Sequence, residues 1–549
     1  MAASSTSSQS PPSGSPPPTS LPAVEFDGQD DDVDVDAVVS GTSPVANLAD
    51  LLARNARERP EVVAVVEPGA DRHSLTWAEI DREVSALAAG LARHGILAGH
   101  RLALRGPNSI SYLLAYLGAL RAGVVAMPLG VRAGSELSAH WLSSSGARLL
   151  LTTSDIELGS DIETLPMSPD GLAALAAPDA APVPSPRDRE ALAVLLFTAG
   201  TAEEPRPVML SHRALLAGLD DSPGQPTDES VVGLALPLAG AYGLVGVLGG
   251  WIATGCRLVV ADERADLIAL ATAESITHLP LTPPQIVRVL QGSARDGTDL
   301  RNALASVTRV ISAGSRLPWP LVREFTERTG LRIEPAYGLT ETGRGVSSTL
   351  GGQMLGPGHV GHALSGAQIR IGDGTDDEPG EIWVRGEMLF SGYWPHATGG
   401  PGEDGWWNTE DLGYLQGDEL FVLDRVRDLL TVSGFTIYPA EVEQVIAELE
   451  GVDAVAVIGA PDPPAGQRAA GQRPAGQRPA GQRPAGQRMV AFVSGTASPE
   501  QVTEHCRVRL AAYKRPREVR SIDRLPRTIT GLVRRGALRR QLAEESGGD

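Results

Sequence analysis

Lysine is almost missing from these 549 residues: Lys514 is the only one, although arginine is abundant. Any step that needs an ammonium group at a fixed place therefore has a single candidate. Cysteine is nearly as scarce. Cys256 and Cys506 lie far apart in sequence, which excludes a disulfide framework or a thiolate metal cluster and leaves each as a small buried hydrophobe. Long apolar runs are lacking too. The longest, Tyr112 to Val131, is broken by Arg121 and suits a buried helix running into a strand better than a transmembrane segment. The opening MAASSTSSQSPPSGSPPPTS has neither a basic start nor an apolar core, so no secretory signal is expected and a cytoplasmic location is. Positive charge is in deficit, with a formal net charge of −20. That excludes broad binding to nucleic acid or acidic membranes.

At 42% hydrophobic and 21% charged residues the chain is globular in the main, and long enough for several packed layers. Residues 1–45, Ser/Pro-rich and then acidic, are expected to form a disordered tail. From Leu48 the pattern turns helical (Leu48, Leu51, Leu52, Ala56), and Val62 to Val66 follows as a strand. Trp77 to His94 predicts an amphipathic helix with Ile80, Val84, Leu87 and Leu91 inward. Strands at 101–104, 124–128, 149–152, 191–197, 231–236, 257–260 and 309–311 alternate with helices such as 110–122. This alternation predicts an α/β fold of layered, mostly parallel sheets. After Trp383 short strands with Gly turns predict an antiparallel, β-rich part. Beyond Asp424, a turn, a capped helix with Glu441 and Glu443 near its start, and a strand predict a small α+β domain. The expected boundaries are 46–423 for the large domain and 424–549 for the small, mobile one. Inside the latter a five-residue repeat, PAGQR, runs from Pro464 to Arg488. It is too short for a solenoid unit and offers no large apolar position to stack, so a flexible loop at 464–488 is expected.

Two stretches carry chemistry. Tyr337-Gly338-Leu339-Thr340-Glu341 places a ring, a glycine turn, a hydroxyl and a carboxylate within five residues. These could stack a base, meet a phosphate and hold Mg²⁺, although a Tyr-Gly turn before a helix start fits as well. Leu195 to His212, LLFTAGTAEEPRPVMLSH, follows a buried strand and precedes a helix, where free N–H groups can meet an anion. No Gly-Lys-Ser/Thr closes it, so it is not a Walker A loop.

In order and spacing these stretches resemble the adenylate-forming superfamily: acyl-CoA synthetases, firefly luciferase and peptide-synthetase adenylation domains. The family's phosphate loop, Y-T-S-G-T-T-G-x-P-K-G-V, is similar to the run from Phe197 to Val208, which implies that Thr198, Gly200, Thr201 and Arg206 meet phosphate. SAGSRLP resembles the stretch lying along adenine and acyl group, which implicates Gly314 and Ser315. The resemblance implies adenine stacking by Tyr337 beside Gly338, phosphate contact by Thr340 and Mg²⁺ binding by Glu341. WWNTEDLG resembles Y-x-T-G-D, placing Asp411 on the ribose hydroxyls. DRVRD resembles the hinge, with Arg425 at the ribose and Arg427 at the pivot, and SGFTIYPAEVE puts Gly434 beside the pantetheine path. The resemblance thus implies an ATP-dependent ligase that uses ATP, Mg²⁺ and CoA. It would convert a carboxylic acid, in the first instance a fatty acid, through an acyl-adenylate to a thioester of CoA or of an acyl-carrier protein. The implied catalytic residues are Thr340, Glu341 and Arg425.

Five positions set this chain apart from the family pattern. Leu532 stands where T-G-K has its lysine; losing a cation aimed at developing charge costs roughly 10²–10³ in rate. Arg534 and Arg535 are the chemically eligible substitutes. Glu203 and Glu204 enter the phosphate loop, where a carboxylate about 5 Å from a phosphate charge repels it by roughly 3 kcal/mol, so they are expected to point outward. Pro207 removes an N–H donor, and Gly240 opens the acyl channel. The alternative implied is a homologue that binds nucleotide or acyl-adenylate, or carries out the thioester step alone.

Overall fold

The computed structural model describes residues 45–70, 72–153, 162–180, 185–198, 205–219, 226–372, 378–432, 435–461, 487–528 and 531–547. The predicted tail up to residue 44, nearly all of the repeat, and Gly200, Thr201, Glu203, Glu204 and Gly434 lie outside them.

The predicted alternation of strands and helices is present. The helix Leu48–Glu58 starts at Asn47, whose side chain accepts the Ala49 N–H, and Trp77–Arg93 buries Ile80, Val84, Leu87 and Leu91. The helix Ile110–Arg121 is buried on every face because the helices Trp77–Arg93 and Leu48–Glu58 and strands of both sheets pack around it. One sheet has six strands and the other thirteen. A single apolar cluster joins Leu102, Leu104, Leu149 and Val194 of the first to Val65, Val232 and Leu258 of the second. The outer face of the large sheet packs on helices Leu267–Glu274, Pro283–Asp296 and Trp319–Thr329. The outer face of the smaller one packs on Trp141 and Leu142.

The antiparallel part begins earlier than Trp383. The strand Ile333–Gly338 is parallel to Arg309–Ser312 on one side but antiparallel to Gly345–Ser348 on the other. The tight turn at Thr340–Thr342 returns the chain against its own strand, and antiparallel pairing then continues in the same sheet out to Gln368–Ile371. The helix after Tyr438 has Pro439 at its first position and is capped from a distance rather than by Tyr438: Asp424 Oδ2 accepts the Ala440 N–H at 2.9 Å.

Residues 45–549 form one compact unit. Within it, two apolar clusters are built only from residues beyond Asp428, on either face of a three-stranded sheet. Two of its strands, Val452–Pro461 and Gln487–Gly495, are antiparallel neighbours and flank the repeat. The last two repeat residues are therefore strand, not loop: Gln487 pairs with Pro461, and Arg488 pairs with Ala460 and forms an ion pair with Glu518. Cys256 and Cys506 are buried, and burial pushes both thiols up to about 11. Among the described residues no helix is long and apolar enough to cross a membrane.

Two buried histidines, His212 and His278, make folding pH-dependent. His212 is 1% exposed, with Nε2 3.4 Å from the Asn47 amide, and burial lowers its pKa to about 4. The folded state holds the ring neutral, so its contribution is full above about pH 6.5 and is lost as pH falls towards 4. Urea titrations are expected to show up to about 3 kcal/mol of this loss from His212, and His212→Gln is expected to make the profile shallower over that window, the remainder coming from His278, whose pKa burial also lowers to about 4.

Candidate active site

The segments singled out in the sequence converge on one cavity of about 810 Å³. Its wall begins where buried strands end and side chains are released into loops, the usual ligand position of an open α/β sheet. Gly314 and Ser315 follow Arg309–Ser312, Thr340 and Glu341 follow Ile333–Gly338, and Thr198 follows Leu192–Phe197; all line it. Gly338 is required for the return: a Cβ there would lie 2.6 Å from the Arg344 carbonyl oxygen and 2.9 Å from Gly345 Cα. Thr198 and Arg206 close the base of the loop between them. Thr198 N–H donates to the Arg206 carbonyl at 2.9 Å, and Arg206 N–H to Thr198 Oγ1 at 2.9 Å. Pro207 opens the next strand opposite Phe197, a position where its missing N–H is tolerated.

Asp411 and Arg425 face each other across adjacent antiparallel strands. Arg425 Nε lies 3.1 Å from Asp411 Oδ1, and the Tyr337 hydroxyl donates to Oδ2 at 2.8 Å. Burial raises the Asp411 pKa, against the opposing pull of Arg425 and the Tyr337 bond. Arg425 stays charged, because Asp411, Tyr337 and Glu341 outweigh its own burial. Burial holds Tyr337 well above its usual range, so it remains a donor. A second pair lies beside the first: the Tyr393 hydroxyl donates to Glu341 Oε1 at 2.8 Å, and the Arg206 guanidinium carbon sits 3.9 Å from the Tyr393 ring centroid, within cation–π range.

Asp411 is aimed inward by a bulge. The strand Trp406–Gln416 changes register against Gly380–Arg385 between Trp383 and Glu381, and the extra residues are those around Glu410. Asn408 Oδ1 accepts the Glu410 N–H at 2.9 Å, and Glu410 has φ +59°. Glycine takes that conformation freely; for glutamate it costs roughly 1 kcal/mol or more.

The C-terminal segment closes the cavity. Thr528 N–H donates to the Leu532 carbonyl at 2.8 Å, and Leu532 N–H to Thr528 Oγ1 at 3.1 Å. Gly531 has φ +91°, and a Cβ there would lie 2.8 Å from Pro284 Cγ, so this hairpin is seated on the large sheet's helices. Leu532 lines the cavity, as does Arg427. Arg535, one of the eligible substitutes for a lysine, is committed elsewhere. It donates to Glu443 at 2.7 Å and to Asp428 at 3.4 Å, and these carboxylates raise its pKa despite burial. Lys514 is bound to Glu441 at 2.6 Å.

The model of the AMP-binding enzyme family matches residues 52–394, and that of the AMP-binding enzyme C-terminal domain matches residues 481–532. The chain belongs to the AMP-binding enzyme family. A feruloyl-CoA synthase from an Amycolatopsis species is 31% identical over 515 residues, covering 89% of this chain and 97% of that protein. The long-chain-fatty-acid–CoA ligase FadD13 of Mycobacterium tuberculosis is 26% identical, covering 90% and 98%. Among solved structures, ATP-bound MatB from Rhodopseudomonas palustris matches with a TM-score of 0.78 at 26% identity, covering 91% of this chain and 99% of that one. MenE from Bacillus subtilis with ATP and a magnesium ion matches at 0.75 and 26%, covering 90% and 99%. This AMP-binding enzyme thus has the α/β fold of the adenylate-forming group, and its relatives are acyl- and aryl-CoA ligases.

Of the site residues expected in this family member, Thr198, Arg206, Gly314, Ser315, Tyr337, Gly338, Thr340, Glu341, Asp411, Arg425 and Arg427 all border the cavity. Tyr393 was missed, because nothing in SGYW sets that tyrosine apart before the fold brings it to Glu341, 52 residues away in sequence. Glu410 was also missed, although WWNTEDLG set against Y-x-T-G-D already puts it at the pattern's glycine.

Proposed function

We propose that this AMP-binding enzyme is an ATP-dependent acyl-CoA ligase for a carboxylic acid with an apolar acyl group. The observation that carries this reading is the meeting of Tyr337, Glu341, Asp411 and Arg425 in one cavity, with the Leu532 hairpin at its mouth. The ring of Tyr337 would bear on adenine, and Asp411 would accept the ribose hydroxyls, held in place by Arg425. Glu341, Thr340, Thr198 and Arg206 would meet the phosphates. Among the described residues no group of three or more His, Cys, Asp or Glu could hold a metal ion. A single carboxylate completed by substrate phosphates is the usual Mg²⁺ arrangement, and Glu341 fits it. Bound there, Mg²⁺ would neutralise phosphate charge.

In the first step a carboxylate oxygen attacks the α-phosphorus, a P–O bond forms, and pyrophosphate leaves with the electron pair. In the second the CoA sulfur attacks the acyl carbon, its proton is lost to solvent, and AMP leaves. The part beyond residue 424, with its own cores, would act as a mobile domain turning at Arg427 between the steps. A carrier-protein thiol is the other acceptor with the right chemistry. The acid is left as a class because the similar proteins are named for aromatic and for fatty substrates alike. Pyrophosphate exchange driven by short, long and aromatic acids tests the reading; no exchange with any of them would overturn it. Leu532 favours a second reading, in which the chain holds an adenylate and carries only the thioester step. CoA supplied with a synthetic acyl-adenylate would then give product where ATP and acid do not.

Tyr393→Phe removes the donor to Glu341 without emptying the wall. A hydrogen bond to a charged group contributes about 1.5–3 kcal/mol, so the Mg²⁺ concentration for half-maximal nucleotide binding is expected to rise about tenfold or more. Metal-free nucleotide affinity is expected to stay unchanged. Equal losses with and without Mg²⁺ would mean that Tyr393 only fills space.

A further inference from the structure

The helix that follows Pro237 opens with a six-residue π-helical turn, Tyr242–Val247, and continues as an α-helix to Thr254. Such wide turns are rare and gather at functional sites. Within this one Gly243, Leu244, Val245 and Val247 are buried, whereas Tyr242 and Gly246 are half-buried and border the cavity. Residues four apart share a helix face, so the turn shows the cavity one ring and one bare backbone position. The ring is held, because the Tyr242 hydroxyl donates to the Ile311 carbonyl at 3.0 Å. The turn also packs against the segment that carries Thr340 and Glu341: a Cβ at Gly343 would meet Val245 Cγ1 at 3.5 Å. The space beside Tyr242 and Gly246 thus adjoins the groups proposed to meet the phosphates, and the acyl group of an adenylate is bonded to the α-phosphate. Gly240, expected to open the acyl channel, does not border the cavity; Gly246 does. A Cβ on Gly246 would meet only Tyr242 Cδ2, at 3.6 Å, an ordinary contact. The backbone therefore does not require glycine there, and glycine inside a helix costs stability. What it provides is room against the Tyr242 ring.

We propose that Gly246 leaves a slot for a flat ring beside Tyr242, and that the acid this enzyme takes is an aryl acid rather than a fatty one. This rests on the acyl-adenylate reading of the cavity given above. A planar ring fills a gap between a fixed aromatic side chain and bare backbone, and gains offset or edge-to-face contact with Tyr242. A flexible alkyl chain gains no such contact and loses more conformational freedom when it is held.

Acylsulfamoyl adenosines mimic an acyl-adenylate and bind without any chemical step, so the test does not depend on turnover. Calorimetry on the full chain is expected to give about tenfold tighter binding of the cinnamoyl than of the decanoyl compound. Gly246→Leu places a side chain in the slot. It is expected to weaken the cinnamoyl compound at least about tenfold, and sulfamoyladenosine, which has no acyl group, less than about threefold. Gly246→Ala adds only the atom that the backbone accommodates. It is expected to cost the cinnamoyl compound about fivefold without lowering the unfolding temperature. Decanoyl binding as tight as cinnamoyl overturns the aryl assignment. A cinnamoyl affinity unmoved in both variants, or falling equally with that of sulfamoyladenosine in the alanine variant, overturns the slot. Each of these results leaves the nucleotide site standing. Binding of none of the three compounds by the wild-type chain overturns the acyl-adenylate reading itself, and the slot with it.

Discussion

Leu532→Lys is expected to raise acid-dependent pyrophosphate exchange by roughly 10²–10³-fold. Leu532 lines the cavity from a hairpin whose geometry is set by main-chain and Thr528 contacts, so a longer side chain can enter without rebuilding the backbone. Gly531, seated on Pro284, places the hairpin on the rim that also carries Ser315. An ammonium group there would approach the charge that develops when a carboxylate attacks phosphorus. No present cation takes that place through Arg535, which is bound to Glu443 and Asp428. A half-buried Leu-to-Lys change at a cavity rim is expected to alter stability by no more than about 1 kcal/mol, so a gain in exchange would report chemistry. Unchanged exchange by a variant that still binds ATP would show that position 532 does not limit adenylation.

The second large effect is expected from Asp411→Ala. The substitution leaves the Tyr337 hydroxyl and the Arg425 guanidinium without the acceptor they share. Removing one partner of a buried ion pair costs about 3–5 kcal/mol; the lower figure applies here because the Arg425 side chain is 29% exposed. Nucleotide affinity is expected to fall at least about 100-fold, since the ribose hydroxyls lose a charged acceptor and Tyr337 and Arg425 lose their anchor. Urea unfolding and calorimetry together check this. Wild-type nucleotide binding by a variant destabilised as expected would make Asp411 a structural residue and remove it from the site. Asp411→Asn, which retains an acceptor for Tyr337, is expected to fall between the two.

Much of the site was legible because its parts are short and their chemistry is local. Tyr337 to Glu341 occupies five consecutive residues after an apolar strand, and the fold holds it where that strand ends. Asp411 and Arg425 could be named separately from WWNTED and DRVRD. That they touch could not, because their contact depends on cross-strand register. The Arg206–Tyr393–Glu341 relay was invisible for a related reason: it joins the rim of the phosphate loop, an aromatic residue far along the chain and the strand-end turn. Arg535 looked eligible to replace a lysine on charge alone, and two buried carboxylates beyond the reach of sequence spacing use it instead.

By itself the sequence determined the alternation of helices and strands, the family, the lone lysine and the leucine at position 532. These follow from residue types and from the periods of 3.6 and 2 that the backbone imposes. Only the tertiary structure decided that Glu410 sits in a left-handed bulge, that Tyr337 and Arg425 share one carboxylate, and that Tyr393 holds Glu341. Those outcomes depend on register and desolvation, which arise when distant segments are packed together and have no counterpart in the order of residues along the chain.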